Sequence, residues 1–264
     1  IPPEVGVRWN ANWVYDERAA VFVMFGGSST YIGGEHWRDT WHYNATTDSW
    51  RQIATATAPL GRHIFGMAYD AKAQRVIMYG GRHPNGTGGF VYLGDTWLYD
   101  SATETWTEVL SDGPVPTGRI QGLMAYNGAT GAVELSGGWP YSGEQWRFDI
   151  AAGRWEPIEF DETPPWQFLA TVAYDAARGA RLISLGLGPH NLGVSQTISL
   201  NMHAGTWQEQ VTNQVPPTRW AQGSVYEPIT GRTLMYGGFN GDCSIPGVTD
   251  DCGDLWAFGY QDAL

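Results

Sequence analysis

The stretch MAYDAKAQRVIMYGGRHPNGTGGFVYLGDTWLYDSATETWTEV, residues 67–109, decides the fold. It opens on an apolar segment closed by Tyr69 and Asp70, turns, and runs through Val76, Ile77, Met78 and Tyr79 into Gly80-Gly81. After a Gly-rich loop come Asp95, Thr96 and Trp97, then a turn and a second tryptophan, Trp106. The apolar runs are too short for helices and rich in Val, Ile, Met and Tyr, so they read as strands. The stretch therefore holds four strands, here called a to d.

Working outward, the same pattern recurs along the chain. The segment ending strand a is WVYD at 13–16, MAYN at 124–127, VAYD at 172–175 and SVYE at 224–227. Strand b ends in glycines at Gly26-Gly27, Gly137-Gly138 and Gly237-Gly238, and as LGLG at 185–188 in the fourth copy. Strand c carries Trp41, Trp146 and Trp256, with Ile198 in the fourth copy. Strand d carries Trp50, Trp155 and Trp207. The repeat tyrosines Tyr15, Tyr69, Tyr126, Tyr174 and Tyr226 follow one another at 54, 57, 48 and 52 residues. A four-stranded unit cannot bury both faces alone, and radial stacking of neighbours does so.

In the double glycine after strand b, the strand-c aromatic and the strand-d tryptophan, five copies in register resemble the kelch repeat, whose period is about 50 residues. The resemblance covers almost the whole chain. It implies one domain over residues 1–264, an all-β, five-bladed kelch-type β-propeller with four-stranded blades. Leu264 falls one residue short of a fifth strand-d Trp, so the last blade is expected to have three strands, nineteen in all, or the chain to be part of a longer one. The fourth blade, lacking both Gly-Gly and the strand-c Trp, should be less regular.

Composition agrees. The 35 glycines and 14 tryptophans suit short strands and tight turns and do not suit helices. A formal net charge of −12 repels phosphate backbones, so no nucleic-acid partner is expected. No apolar run reaches the length of a membrane span. The only cysteines, Cys243 and Cys252, sit in one Gly/Pro-rich segment and are read as a disulfide, hence a secreted or extracytoplasmic protein.

In kelch proteins ligands usually dock on the face bearing the b–c and d–a loops, so the resemblance directs attention there. Seven residues before each repeat tyrosine stand Arg8, Arg62, Arg119, Gln167 and Arg219. Planar guanidinium grips carboxylates in two-point fashion, and the kelch resemblance implies a place for such arginines at anionic ligands. The competing reading pairs each Arg with an Asp of the next blade. One position on are Trp9, His63, Ile120, Phe168 and Trp220. The b–c loops add Tyr31, Glu35, His36, Trp37, Arg82, His83, Phe90, Tyr92, Trp139, Tyr141, His190 and Asn191. Aromatics beside polar groups suit stacking on sugar rings.

The expected ligand set is Arg8, Arg62, Arg119, Arg219, Trp9, His63, Trp220, Trp37 and Trp139. No metal site or cofactor is expected. Asp242, Asp250, Asp251 and Asp254 fit no dedicated calcium loop. The function expected is binding of a carbohydrate or small anionic ligand. Two alternatives stand beside it. One is an isomerase or lyase on an anionic sugar, with Glu35, His36 and His63 as acid–base candidates. The other is a scaffold for acidic peptides.

Overall fold

The computed structural model describes residues 2–30, 34–140, 143–165, 168–175, 179–187, 193–211, 214–227, 229–239 and 252–258. The described residues hold strands and turns and no helix. The first repeat forms β1 (Asn12–Asp16), β2 (Val21–Phe25), β3 (Thr40–Asn44) and β4 (Ser49–Ile53). The second forms β5 (Gly66–Asp70), β6 (Arg75–Tyr79), a short ribbon of β7 (Arg82–Pro84) and β8 (Phe90–Tyr92), then β9 (Thr96–Asp100) and β10 (Thr105–Val109). The third forms β11 (Leu123–Asn127), β12 (Ala132–Ser136), β13 (Gln145–Asp149) and β14 (Arg154–Ile158). In the fourth are β15 (Thr171–Asp175), β16 (Ala180–Leu187), β17 (Gly193–Asn201) and β18 (Thr206–Glu209). The fifth contributes β19 (Gly223–Glu227), β20 (Arg232–Tyr236) and β21 (Leu255–Phe258).

Each repeat pairs its strands antiparallel in chain order, giving four four-stranded sheets and a three-stranded sheet β19-β20-β21. Where the sequence expects five blades, the structure thus shows four sheets of full width. Residues 259–264 lie outside the described residues. Among the described residues the strands number twenty-one, two more than the nineteen expected, because the b–c loop of the second repeat folds into the separate β7–β8 ribbon. In the fourth repeat the ladder between β16 and β17 shifts register between Ser184 and Gly186, where the double glycine is broken.

The chain forms two compact units. One comprises Ile1–Tyr126, Gly131–Leu135 and Trp146–Pro157; the other comprises Asn127–Thr130, Ser136–Gln145 and Ile158–Leu264. In the first unit β1 lies beside β5, and in the second β15 lies beside β19. Sheets therefore stack face to face with their first strands adjacent, as propeller blades do. In the first unit two apolar layers result. Val23 and Phe25 meet Met67, Val76, Met78, Tyr99 and Trp106. Ala68, Ile77 and Tyr79 meet Met124, Val133, Leu135, Phe148 and Trp155. Polar ties cross both layers, among them Trp106 Nε1 to Thr40 Oγ1 at 2.9 Å and Trp155 Nε1 to Thr96 Oγ1 at 2.8 Å. A buried indole N–H needs such an acceptor.

The glycine pair has two jobs. Gly80 sits at φ +72, where a side chain is strained, and a Cβ there would stand 2.5 Å from the carbonyl oxygen of Arg119. The next residue, Gly81, donates its N–H to that same carbonyl at 2.8 Å. The corresponding bonds are Gly27 to Arg62 at 2.9 Å and Gly186 to Arg219 at 3.0 Å. The end of strand b is therefore sewn to the arginine position of the following repeat.

Candidate functional site

The arginine positions come first, because their side chains are spoken for. Arg62 is fully buried and donates from Nη1 and Nη2 to the two carboxylate oxygens of Asp95, both at 2.6 Å. Its Nε donates to Leu60 O at 3.0 Å and its Nη1 to Gly80 O at 2.9 Å. Arg8 repeats the pattern with Asp39, at 2.5 and 2.6 Å, and with Val5 O and Gly26 O. Arg219 repeats it with Asp254, Pro217 O and Gly237 O. The indoles of Trp41, Trp97 and Trp256 donate to the same three carboxylates. The partner is thus the Asp before strand c of the arginine's own repeat, not one on the next. Arg119 is equally buried and donates to Thr117 O at 2.9 Å; Glu144 stands where the other repeats have Asp.

These contacts govern the carboxylates. Burial acts to raise Asp39 and Asp95, but the bonds from Arg8, Arg62 and the indoles outweigh it and hold both below the usual carboxylate value. The bond from Arg219 holds Asp254 at about 2. Each unit of arginine, aspartate and tryptophan ties the d–a loop to the start of strand c and to the glycine turn.

The histidines converge elsewhere. The d–a loop runs antiparallel to the b–c loop through bridges between Trp9 and Ser28 and between His63 and Arg82, and within the first b–c loop Ser28 bridges His36. In the first unit this brings the ring of His36 to 4.5 Å from that of His63 and to 6.2 Å from that of His83. Phe90, on the ribbon, lies 6.1 Å from His36 and 5.8 Å from His63, with the Arg82 guanidinium 4.1 Å over its ring. Val91 and Tyr92 beside it are exposed.

The tautomers follow from the partners. Arg82 Nε donates to His63 Nε2 at 2.8 Å, so Nε2 is the acceptor and Nδ1 carries the proton. His36 Nδ1 bonds Gly34 O at 2.7 Å, so it carries the proton and Nε2 keeps its lone pair. His63 Nδ1 and His36 Nε2 are both buried, and neither has a hydrogen-bond partner among the described residues. One is a donor and the other an acceptor, on adjacent rings. Burial, with Arg82 and His36 beside it, lowers His63 to about 3. Burial lowers His36 as well, against its bond to Gly34, and His83 and Arg82 add to the lowering. Both imidazoles are neutral at neutral pH, which fits hydrogen bonding and does not fit donation of a proton as a general acid.

The remaining sequence candidates make other contacts. Trp37 lies under the Arg8 guanidinium at 4.5 Å from the ring centre, and Trp9 is half exposed. Glu35 points into solvent. In the second unit Trp220 pairs with Phe239 at 5.2 Å and Trp139 with Phe168 at 6.1 Å. Tyr31, Tyr141, Gln167, His190, Asn191, Asp242, Cys243, Asp250 and Asp251 lie outside the described residues. Among the described residues no group of three or more His, Cys, Asp or Glu is placed to hold a metal ion. Nor is any described helix long and apolar enough to cross a membrane.

One recurrent feature escaped the sequence reading. Two positions after each arginine position, Asn10, Ile64, Gln121, Leu169 and Ala221 all have φ between 53 and 58. Successive members are bonded backbone to backbone: Ile64 N to Asn10 O and Gln121 N to Ile64 O in the first unit, Ala221 N to Leu169 O in the second. The residue types share nothing that signals positive φ, least of all β-branched Ile64. No family model matches the chain.

Proposed function

We propose that this chain is a carbohydrate-binding module, a five-bladed kelch-type propeller whose sugar site is the histidine–aromatic cluster on the loops of the first two repeats. The observation that carries the reading is the pair of unfilled partners, His36 Nε2 as acceptor and His63 Nδ1 as donor. A sugar hydroxyl donates to the first and accepts from the second, whereas a carboxylate only accepts and an ammonium only donates. Phe90 and exposed Tyr92 supply apolar faces for the C–H side of a pyranose ring. Both nitrogens are buried, so entry requires the ribbon bearing Phe90 to yield; two three-residue strands are marginal on their own, which suits them to that motion.

An anionic ligand is less favoured, since Arg8, Arg62 and Arg219 each already face a carboxylate. Secretion remains part of the proposal through a Cys243–Cys252 disulfide. Thiol titration of denatured, unreduced protein should then find none.

Calorimetry and thermal shift against neutral mono- and disaccharides and against simple carboxylates decide the matter. A neutral sugar should raise the melting temperature, because a ligand of the native state stabilises it. Phe90→Ala and His36→Ala should abolish that rise while leaving the unliganded melt close to wild type. Binding confined to carboxylates and weakened by salt, or no binding by any sugar, overturns the reading.

A further inference from the structure

The turn of the β7–β8 ribbon holds an asparagine directly before a glycine, Asn85-Gly86. Such a pair can react with its own main chain, because no Cβ keeps the glycine N–H from the side-chain amide. Asn85, Gly86, Thr87 and Gly88 are all exposed. Gly86 lies at φ +77, and a Cβ built on it meets nothing within 4 Å, so water and hydroxide reach the pair.

The amide oxygen of Asn85 is unusually well supplied with donors. Oδ1 accepts from Thr87 N, from Thr87 Oγ1 and from Gly89 N, each at 2.9 Å. Asn85 N in turn donates to Gly89 O at 3.0 Å, which closes the turn around the side chain. A Cβ on Gly89 would stand 3.0 Å from Asn85 Nδ2, so glycine there keeps that nitrogen clear. In the resting molecule these bonds shape the turn. During attack on Cγ they become an oxyanion hole, because charge moves onto Oδ1 and the donors already stand at the right range. Bonds to a charged oxygen are about twice as strong as bonds to a neutral one, so the same contacts favour the transition state over the ground state.

Asn44, in the same unit, supplies the comparison. Its Oδ1 accepts from Thr46 N at 2.9 Å and Thr47 N at 3.1 Å, a similar turn. Ala45 follows it, and the Cβ of alanine hinders approach of the main-chain nitrogen.

We propose that Asn85 is a self-modifying residue whose deamidation the ribbon turn accelerates. Hydroxide takes the Gly86 N–H proton, and the nitrogen attacks Asn85 Cγ. The Cγ–Nδ2 bond breaks, and Nδ2 leaves as ammonia with a proton from water. Water then opens the cyclic imide. Opening at Cγ yields aspartate. Opening at the main-chain carbonyl carbon of Asn85 yields isoaspartate, which lengthens the main chain by one carbon in the turn that joins β7 to β8. Either product places a new carboxylate at the tip of the ribbon that carries Phe90.

Peptide mapping by mass spectrometry, on protein held in mildly alkaline buffer, tests this. The peptide bearing Asn85 should gain the mass of an amide-to-acid exchange and split into aspartyl and isoaspartyl forms, while the peptide bearing Asn44 stays intact. The reaction should run faster in the native protein than in the same chain unfolded in urea, where the donors are dispersed. Thr87→Val removes one donor at an exposed position and should slow the native reaction about three- to tenfold, the worth of one hydrogen bond. Its rate in urea should match wild type. Thr87→Ser keeps the hydroxyl and should keep the native rate. A native rate at or below that in urea overturns the proposal, since the turn then shields the amide instead of activating it. So does a native Thr87→Val rate equal to wild type, or an Asn44 that reacts as fast as Asn85.

Discussion

Arg62 gathers three kinds of partner: a carboxylate gripped at two points, the carbonyl of Gly80, and the carbonyl of Leu60 two residues back. Its own carbonyl accepts from Gly27 of the preceding repeat. One residue thus joins two repeats and three segments of its own. Arg62→Ala should destabilise by about 2–4 kcal/mol in urea titration, within and just below the range for stranding one member of a buried pair, because Asp95 keeps 23% exposure and some water. Arg62→Lys should recover part of the loss, since the charge returns without the planar fork. Sugar affinity should be unchanged in both. An Ala variant as stable as wild type that binds less tightly would restore the arginines to the ligand set. Both halves of this pair were visible in the sequence, as Arg at one register and Asp before the strand-c Trp at another. Their partnership was not, because 31 to 35 residues separate them and several acids stood equally near in register.

At the scale of the element, strands were legible wherever a tryptophan or a Gly-Gly pair fixed their ends. The β7–β8 ribbon was not: its strands are three residues each, and Asn85-Gly86-Thr87-Gly88-Gly89 between them reads as plain loop. That ribbon places Phe90 against the two histidines, so the best candidate site was only half legible. His36, His63 and Phe90 had all been picked out singly, and their convergence depends on the bridges between d–a and b–c loops. The glycines give a sharper test of the turns. Gly80→Val adds a β-branched side chain at φ +72 with backbone 2.5 Å from its Cβ, and should fold poorly or melt far below wild type. Gly86, at φ +77 in the ribbon, has nothing within 4 Å of a built Cβ. Gly86→Asn should therefore leave the melt almost unmoved, because Asn tolerates left-handed backbone and no neighbour objects. Equal damage from the two changes would mean that backbone conformation alone, and not the seam to Arg119, makes Gly80 necessary.

At the scale of the whole molecule, these groups set how the fold responds to acid. His63 titrates at about 3 when folded and near 6.5 when unfolded, and His36 and buried His42 are lowered too, burial being the largest cause in each. Between those values the unfolded chain binds protons that the native one refuses, so stability rises with pH there and is lost as pH falls from about 6.5. Each such imidazole contributes at most about 1.4 kcal/mol per pH unit. Protonating His63 would also turn the nitrogen that accepts from Arg82 into a donor facing a donor. Asp39, Asp95 and Asp254 act lower on the scale. Their folded values are depressed, so the stability they confer is present above the unfolded carboxylate value and disappears as pH falls through the folded one, about 2 for Asp254. Acid destabilisation should therefore begin with the imidazoles, well before any carboxylate titrates. Urea midpoints measured from about pH 8 to about pH 3 should decline from near 6.5 downward. His63→Asn, which keeps a polar side chain but cannot charge, should flatten the upper part of that decline and leave the lower part in place. A wild-type midpoint constant between about pH 7 and about pH 5 would show that these rings take up protons in the folded state as easily as outside it, and the donor–acceptor pair assigned to the sugar site would lose its fixed tautomers.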